Sequence, residues 1–594
     1  MYLGISCTGH DNALALVDKN GKVLYAQAAE RDTQSKQGFS LAPDQPHKLA
    51  KLLKRYAPDI TELTICKSWP ADTEARMRAQ IERITPVAQP GPEQAITQNF
   101  ITIQTMNMEQ VFLPNIQMAG GGAARTAFNL EIPSTIKHFD HHSTHAAFAC
   151  YSSPFEEAAC LVMDGYAEDS AQSVYIYKDN KLEKLDMPEY DGELNRIAAS
   201  LGIYYGYTIC KVCGFAPDSG EEWKIMGLAP YGKLNEAFLQ VLREHIGVKD
   251  GYITLPKGSV MAVAKMREHA RPYHMFPEEC ADLAYTAQYH FSELMDQVLT
   301  DIHRITGMDN IVITGGCGLN SSYNGRVTKN TPFKNIFVPN APGDDGNAVG
   351  AALLAAKADN PDLVIRNAFQ TPYLGDDIDE QEVASFIAKG GITNVEKLEW
   401  RELYQAVADE LEAGKVVAWV QGRAEFGPRA LGNRSILADP RSEKMKAKIN
   451  AAVKYREPFR PFAPMVLDEF GEQYFEDYSD TPYMEKVLTF KPEVRGKVQA
   501  VCHADHTGRL QSVTKARNEH IHGLMTAFYE RTGVPVLLNT SLNVMGKPIV
   551  GCLNDAVMTF YTSDIEVLVV GRYVFRKQAI KQGNEEVHQT TATV

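Results

Sequence analysis

Two stretches far apart in the chain follow the same pattern. Tyr2 to Cys7 is apolar and strand-like, breaks at the polar turn Gly9-His10-Asp11, resumes from Ala13 to Val17, and crosses Asp18-Lys19-Asn20-Gly21 into Val23 to Ala28. An Asn-Gly pair between two such runs marks a hairpin. From Ala159 to Leu185 the pattern recurs: an apolar strand ends at Met163-Asp164-Gly165, a polar loop follows, then Ser173 to Tyr177 and a turn at Lys178-Asp179-Asn180. An internal repeat of this kind predicts a duplicated unit, each polar turn facing a cleft between the halves.

A duplicated strand, polar turn and hairpin is the pattern of an actin-like (ASKHA) nucleotide-binding fold. Two later segments fit the same cleft. Ile311 to Gly316 is a buried strand running into a glycine pair, with Gly318-Leu319-Asn320 at a helix start; Gly315, Gly316 and Asn320 are candidate cofactor-binding positions. Pro342-Gly343-Asp344-Asp345-Gly346 then leads into the small-residue helix Ala348 to Lys357, whose N-terminus is predicted to be an anion site.

At 594 residues the chain exceeds one hydrophobic core. We expect an α/β protein throughout: an actin-like domain over 1–359, a linker at 360–377, a second α/β domain over 378–580 and a disordered tail at 581–594. A Gln-, Met- and Pro-rich stretch from Arg76 to Ser134 interrupts the first domain and reads as a partly helical insertion or mobile lid.

The net charge of -14 argues against a nucleic-acid partner. No apolar run approaches a membrane span, and the opening MYLGISCTGHDNALALV lacks a basic segment before its apolar residues, so the expected location is the cytoplasm, away from membranes. The ten cysteines have no framework spacing and read as buried thiols, the lone Cys210 and Cys213 pair included. Against the acidic background, ten Lys or Arg face four acids between Arg423 and Arg460, a local excess that calls for an anion.

His141 and His145 are four apart, so on a helix they share a face and offer two imidazoles to one metal ion. Asp164 and Asp344, at two cleft turns, complete a mixed nitrogen and oxygen set suited to Fe, Zn or Mn. His142 points elsewhere and reads as structural. His10, at the first cleft-facing turn, has the chemistry of a general base toward a hydroxyl. From Gln421 to Gly432 arginines stand between glycines and a proline, a rigid loop for aiming guanidinium forks at phosphate oxygens. No P-loop motif occurs, so ATP must be held some other way.

Long motifs in one order resemble the O-carbamoyltransferases of antibiotic and nodulation-factor biosynthesis: HHSTHAA at 141–147, EEWKIMGLAPYG at 221–232, PGDDGNAVGAAL at 342–353, EFGPRALGNRSILADPR at 425–441, REPFRPFAP at 456–464, HADHTGRLQSV at 503–513 and TGVPVLLNTSLNVMGKPIV at 532–550. The resemblance implies a duplicated actin-like domain similar to the tRNA-threonylcarbamoylation proteins, joined to a carbamoyladenylate-forming (YrdC-like) domain. It implies that carbamoyl phosphate and Mg-ATP give carbamoyladenylate in the C-terminal site, and that a divalent metal, Fe2+ before Zn2+ or Mn2+, serves transfer to a hydroxyl of a small natural product. The metal ligands fall on His141, His145, Asp164 and Asp344, and His10 is the base. The anion-binding and catalytic positions fall on Arg429, Lys454, Arg460, Arg509, Asn539 and Ser541. Departures from the pattern are Ala29-Glu30-Arg31-Asp32 in place of E-E-R-F, and His506 in place of a glycine. A tRNA-modifying relative and an actin-like kinase are the alternatives, disfavoured by the acidic charge and by the 425–550 motifs respectively; a homodimer is left open.

Overall fold

The computed structural model describes residues 1–84, 92–186, 198–216, 220–272, 275–366 and 371–577; the expected tail lies outside them. The repeat becomes two sheets of one topology. In the first, β1 (Tyr2–Ser6), β2 (Ala13–Val17), β3 (Val23–Ala28), β4 (Leu63–Lys67) and β5 (Ser134–His138) are ordered β3-β2-β1-β4-β5. In the second, β6 (Glu157–Met163), β7 (Gln172–Lys178), β8 (Lys181–Lys184), β9 (Asn310–Thr314) and β10 (Asn335–Phe337) are ordered β8-β7-β6-β9-β10. Each begins as an antiparallel meander and adds two strands parallel to the first. This shared order is the duplicated actin-like fold.

Three helices matter for the site: α1 (Ala29–Thr33) leaves β3, α2 (His141–Ser152) follows β5, and α3 (Asn347–Asp359) follows β10. The last two hold equivalent places in the halves and cross between the sheets. Their small residues have a steric reason: a Cβ at Gly350 would lie 1.9 Å from the Thr144 carbonyl oxygen, and one at Gly4 would lie 1.7 Å from that of Ala348. The Asp140 carboxylate caps α2, accepting from Ser143 N at 2.8 Å.

The Arg76 to Ser134 stretch is partly helical, as its sequence predicts. Its described residues are helical, over Thr73–Ile84, Pro92–Asn107, a π-turn at Met108–Phe112, Leu113–Met118 and Gly121–Asn129. Ala119, Ala123 and Ala127, spaced by four, pack with Leu3, Leu49 and Ile65 in the core of the first sheet. The later half is thus a covering layer of the domain, required because an apolar sheet face must be buried.

The C-terminal region is a nine-stranded mixed sheet, ordered Val395–Lys397, Tyr573–Arg576, Val567–Val570, Val417–Val420, Arg434–Ala438, Val536–Ser541, Ala463–Leu467, Thr507–Val513 and Lys486–Thr489. Trp419, Leu437, Leu538 and Phe528 lie in its core. The segment before it is stitched to the edge of the first sheet: Asp376 accepts from Tyr25 Oη and Gln27 Nε2, both at 2.9 Å, and Leu374 accepts from Ala26 N. Arg423 belongs to this seam, donating to Leu24 O at 2.8 Å, and is not free for phosphate. His506 has φ 64°, the left-handed conformation that a glycine adopts without strain. Cys210 and Cys213 are buried among apolar side chains, and among the described residues no helix is long and apolar enough to cross a membrane.

Candidate active sites

The four expected metal ligands converge. His141 and His145 present Nε2 from α2; Asp164 follows β6, and Asp344 precedes α3. His141 Nε2 is 3.5 Å from Asp164 Oδ2 and from Asp344 Oδ1, and His145 Nε2 is 3.5 Å and 3.3 Å from the same atoms. Two ligands held about 2.1 Å from a tetrahedral ion lie about 3.4 Å apart, so these spacings fit one such ion. All four groups are buried, and their donor atoms lie within 4.8 Å of one another. Burial opposes charge on every member. The mutual attraction of imidazoles and carboxylates overrides it, raising His141 and lowering Asp164.

Both carboxylates are oriented from outside. Gly316 N donates to Asp164 Oδ1 at 3.0 Å and Thr8 Oγ1 to Asp344 Oδ2 at 2.9 Å, while the Trp69 ring stacks on His141 with centroids 4.2 Å apart. Gly316 therefore holds the Asp164 carboxylate directly. Gly315 does not line the cavity; at φ 85° its N–H reaches Pro342 O, making the tight turn that delivers Gly316. Asn320 lines the cavity and caps the short helix Ser321–Asn324, accepting from Tyr323 N. The anion site expected at the N-terminus of α3 is taken by the protein's own acids. Asp344 and Asp345 form that turn, Asp345 Oδ1 accepting from Gly346 N at 3.1 Å. His142 turns away, its Nδ1 2.8 Å from Ser173 Oγ.

His10 faces the same cavity, 44% exposed to it, with Nδ1 3.0 Å from Asp11 Oδ2. Enclosure lowers its pKa, but the Asp11 hydrogen bond and charge, with Asp344 and Asp164 beyond, outweigh this and raise it to about 10.

The cationic site lies along the strand ends of the C-terminal sheet. Arg429 and Arg509 line the cavity, and neither guanidinium has a hydrogen-bond or ion-pair partner among the described residues. Burial alone pushes Arg429 down to about 10; for Arg509, burial and then Arg429 itself lower it further. Like charges held together without a counter-ion form a receptor for an anion. Arg460 is partly engaged, 3.2 Å from Glu457 and over the Trp223 ring at 3.9 Å. Asn539 lines the site with its amide fixed by Ala430 O and Gln511 Oε1, and Ser541 donates to Asn543 Oδ1 at 2.8 Å.

Lys454, at the end of a π-turn over Asn450–Lys454, is 2% exposed, and its ammonium is held by Ser541 O, Asn543 O and Asn543 Oδ1, on two residues that line the cavity. Arg456 lines the cavity, stacked over Phe462 at 4.5 Å. Sequence reasoning counted Arg456 in the basic island without placing it. It missed Thr8, whose only signal is its place at the end of β1, and Trp69, which has none.

Both clusters open on one cavity of about 1230 Å³. His10, Asp164 and Asp344 lie on its wall, as do Arg429, Arg456 and Arg509. Val111 and Phe112 of the π-turn roof the His10 loop, where a Cβ on Gly9 would touch both at 3.0 and 3.1 Å.

Comparison with known proteins agrees with this division. Residues 1–353 match the family model described as Carbamoyltransferase N-terminus, and residues 408–577 the one described as Carbamoyltransferase C-terminus. Nodulation protein NolNO of Sinorhizobium fredii is 33% identical over 582 residues, covering 96% of this chain and 79% of its own. The 3'-hydroxymethylcephem-O-carbamoyltransferase of Streptomyces clavuligerus is 35% identical over 273 residues, 45% of this chain and 49% of that protein. Among solved structures, a ROK family protein from Streptococcus pneumoniae aligns over 61% of this chain and 99% of its own at 12% identity, with a TM-score of 0.28, too low to build on.

Proposed function

The chain belongs to the carbamoyltransferase family, and on that premise we propose that it activates a carbamoyl group with ATP in the C-terminal site and transfers it to a hydroxyl of a small natural product at the four-ligand site. Carbamoyl phosphate loses phosphate to water, giving carbamate. The carbamate oxygen attacks the α-phosphorus of ATP, pyrophosphate leaves, and carbamoyladenylate forms. An acceptor hydroxyl oxygen then bonds to the carbamoyl carbon, AMP departs, and the hydroxyl proton passes to His10. Arg429, Arg456 and Arg509 offset the charge of the phosphates. A divalent ion at His141, His145, Asp164 and Asp344, Fe2+ first among the candidates, would supply Lewis-acid polarisation. Thr8 and Gly316 hold its carboxylates in place.

The observation that carries this reading is the single cavity joining an unpartnered arginine pair to a buried His and Asp cluster. A mixed anhydride such as carbamoyladenylate is labile in water, so a shared enclosure favours passage over hydrolysis. The test separates the half-reactions. Arg509→Met is expected to abolish carbamoyl-phosphate-dependent exchange of pyrophosphate into ATP while still transferring from supplied carbamoyladenylate, and His145→Ala to do the reverse. Loss of both activities in both variants sinks the two-site reading. Incubation with carbamoyl phosphate, ATP and a panel of hydroxylated small molecules, read by mass spectrometry for a carbamoyl adduct, identifies the acceptor.

A further inference from the structure

The loop that carries Arg429 is held from two sides. Within its own domain, the buried Glu425 Oε1 accepts from Leu431 N and Asn433 N, both at 2.7 Å, and from Arg434 N at 3.1 Å. The other grips come from the N-terminal domain. Asn340 Nδ2 donates to Phe426 O at 2.7 Å, and Arg31 Nη2 donates to Gly427 O at 2.7 Å. Gly427 has φ 107°, and a Cβ there would fall 2.3 Å from the Asn340 carbonyl oxygen, so its backbone lies directly on the other domain. The Phe426 ring meets Phe148 of α2 edge-on, with centroids 6.2 Å apart.

Arg31 is an odd residue for this place. It is 2% exposed, its Nη1 has no hydrogen-bond partner among the described residues, and its ion-pair carboxylate, Glu30, stands 4.0 Å away. A buried charge with so distant a counter-ion is costly, and an apolar side chain of equal size would stabilise the same space better. What an apolar side chain cannot do is donate to the Gly427 carbonyl. Helix α1, which carries Arg31, also braces a second wall of the cavity. Gln34 Nε2 donates to Ile549 O, Lys547 Nζ donates to Gln34 O, and a Cβ on Gly551 would lie 2.4 Å from Arg31 O.

We propose that Arg31 is a positioning residue for the anion site: by holding the Gly427 carbonyl, with Asn340 as a second grip on Phe426, it aims Arg429 into the cavity. Anion binding in the C-terminal domain then depends on a side chain of the N-terminal domain. Arg429 is only two residues beyond the grip, and its guanidinium has no hydrogen-bond or ion-pair partner among the described residues, so its direction follows from the backbone that these grips hold. The proposal rests on the proposed function for the identity of the anion, while the grip itself is geometric.

The test uses the full chain with Arg31→Met, Arg31→Lys and Asn340→Ala. Inorganic pyrophosphate binding is measured by calorimetry, the two half-reactions as above, and the melting temperature alongside. Arg31→Met is expected to weaken pyrophosphate about tenfold or more and to raise KM for carbamoyl phosphate by a like factor while kcat changes little. Transfer from supplied carbamoyladenylate should stay near the wild-type rate, Arg31→Lys should recover part of the loss, and Asn340→Ala should show a smaller shift of the same sign. Pyrophosphate affinity unchanged in Arg31→Met, or equal losses in both half-reactions, overturns the proposal. If Arg31→Met does not fold, Asn340→Ala decides, and unchanged affinity there overturns it as well. A wild-type protein that binds pyrophosphate but shows no exchange refutes the adenylate reading alone, and the binding comparison still decides the role of Arg31.

Discussion

Arg429→Met separates what the anion site costs the fold from what it does for the ligand. Among the described residues the guanidinium has no partner, and burial lowers its pKa from 12.5 to about 10. Keeping it charged therefore costs about 3 kcal/mol, at about 1.4 kcal/mol for each pH unit. Cavity water reaches the group, so we expect the substitution, which keeps the apolar stem and removes the charge, to recover about 1–3 kcal/mol. Calorimetry should show a higher melting temperature, by a few degrees, without ligand. With pyrophosphate present the order should reverse. Two charge-assisted hydrogen bonds at about 1.5 kcal/mol each are lost, so affinity should fall about a hundredfold and the wild type alone should be stabilised by the ligand. A variant that melts lower without ligand, or binds pyrophosphate as tightly as wild type, would refute the claim that Arg429 waits unpaired for an anion.

Other consequences are as direct. His145→Ala and Asp344→Asn should each lose most of the bound metal by elemental analysis, whereas His142→Gln should keep it, because only the first two residues point into the cluster. Thr8→Val should retain metal but slow transfer from supplied carbamoyladenylate about tenfold, since it removes the hydroxyl that orients Asp344. Acid should destabilise the protein early. Burial first, then Arg243 and His245, push His290 down to about 3, so from about pH 6.5 downward the unfolded chain binds a proton that the folded one refuses. That stability is complete above the ordinary histidine pKa and is lost at up to about 1.4 kcal/mol per pH unit on the way down. In urea denaturation at pH 7, 6 and 5, His290→Gln should flatten the slope by that amount; an unchanged slope would show that His290 takes up its proton in the native state.

The duplication was legible because strands and polar turns alternate locally: Gly9-His10-Asp11 and Met163-Asp164-Gly165 each end an apolar run, and both face the cleft. The meeting of His141 and His145 was legible for a related reason, since a four-residue spacing on a helix fixes which side chains share a face. Where the outcome depended on backbone rotation or distant partners, the local pattern misled. Arg423 reads as one more cation in a basic island, but its guanidinium is spent on backbone carbonyls of the seam with the first sheet. Gly315 reads as a ligand-binding glycine, but the contact with the carboxylate belongs to its neighbour. Ala123 and Ala127, four apart on the helix Gly121–Asn129, already showed the spacing of a packed face, hidden by the Gln- and Met-rich composition around them. Arg31 carried no signal of burial at all. Its role appears only when the two domains are seen in contact.

We propose that one cavity serves both ATP-dependent carbamoyl activation and the use of its product. The most direct measurement is the nucleotide product when carbamoyl phosphate and ATP are supplied, resolved by chromatography. AMP and pyrophosphate are the expected products; ADP with no AMP would contradict carbamoyladenylate formation and leave the actin-like cleft as the site of a phosphoryl transfer.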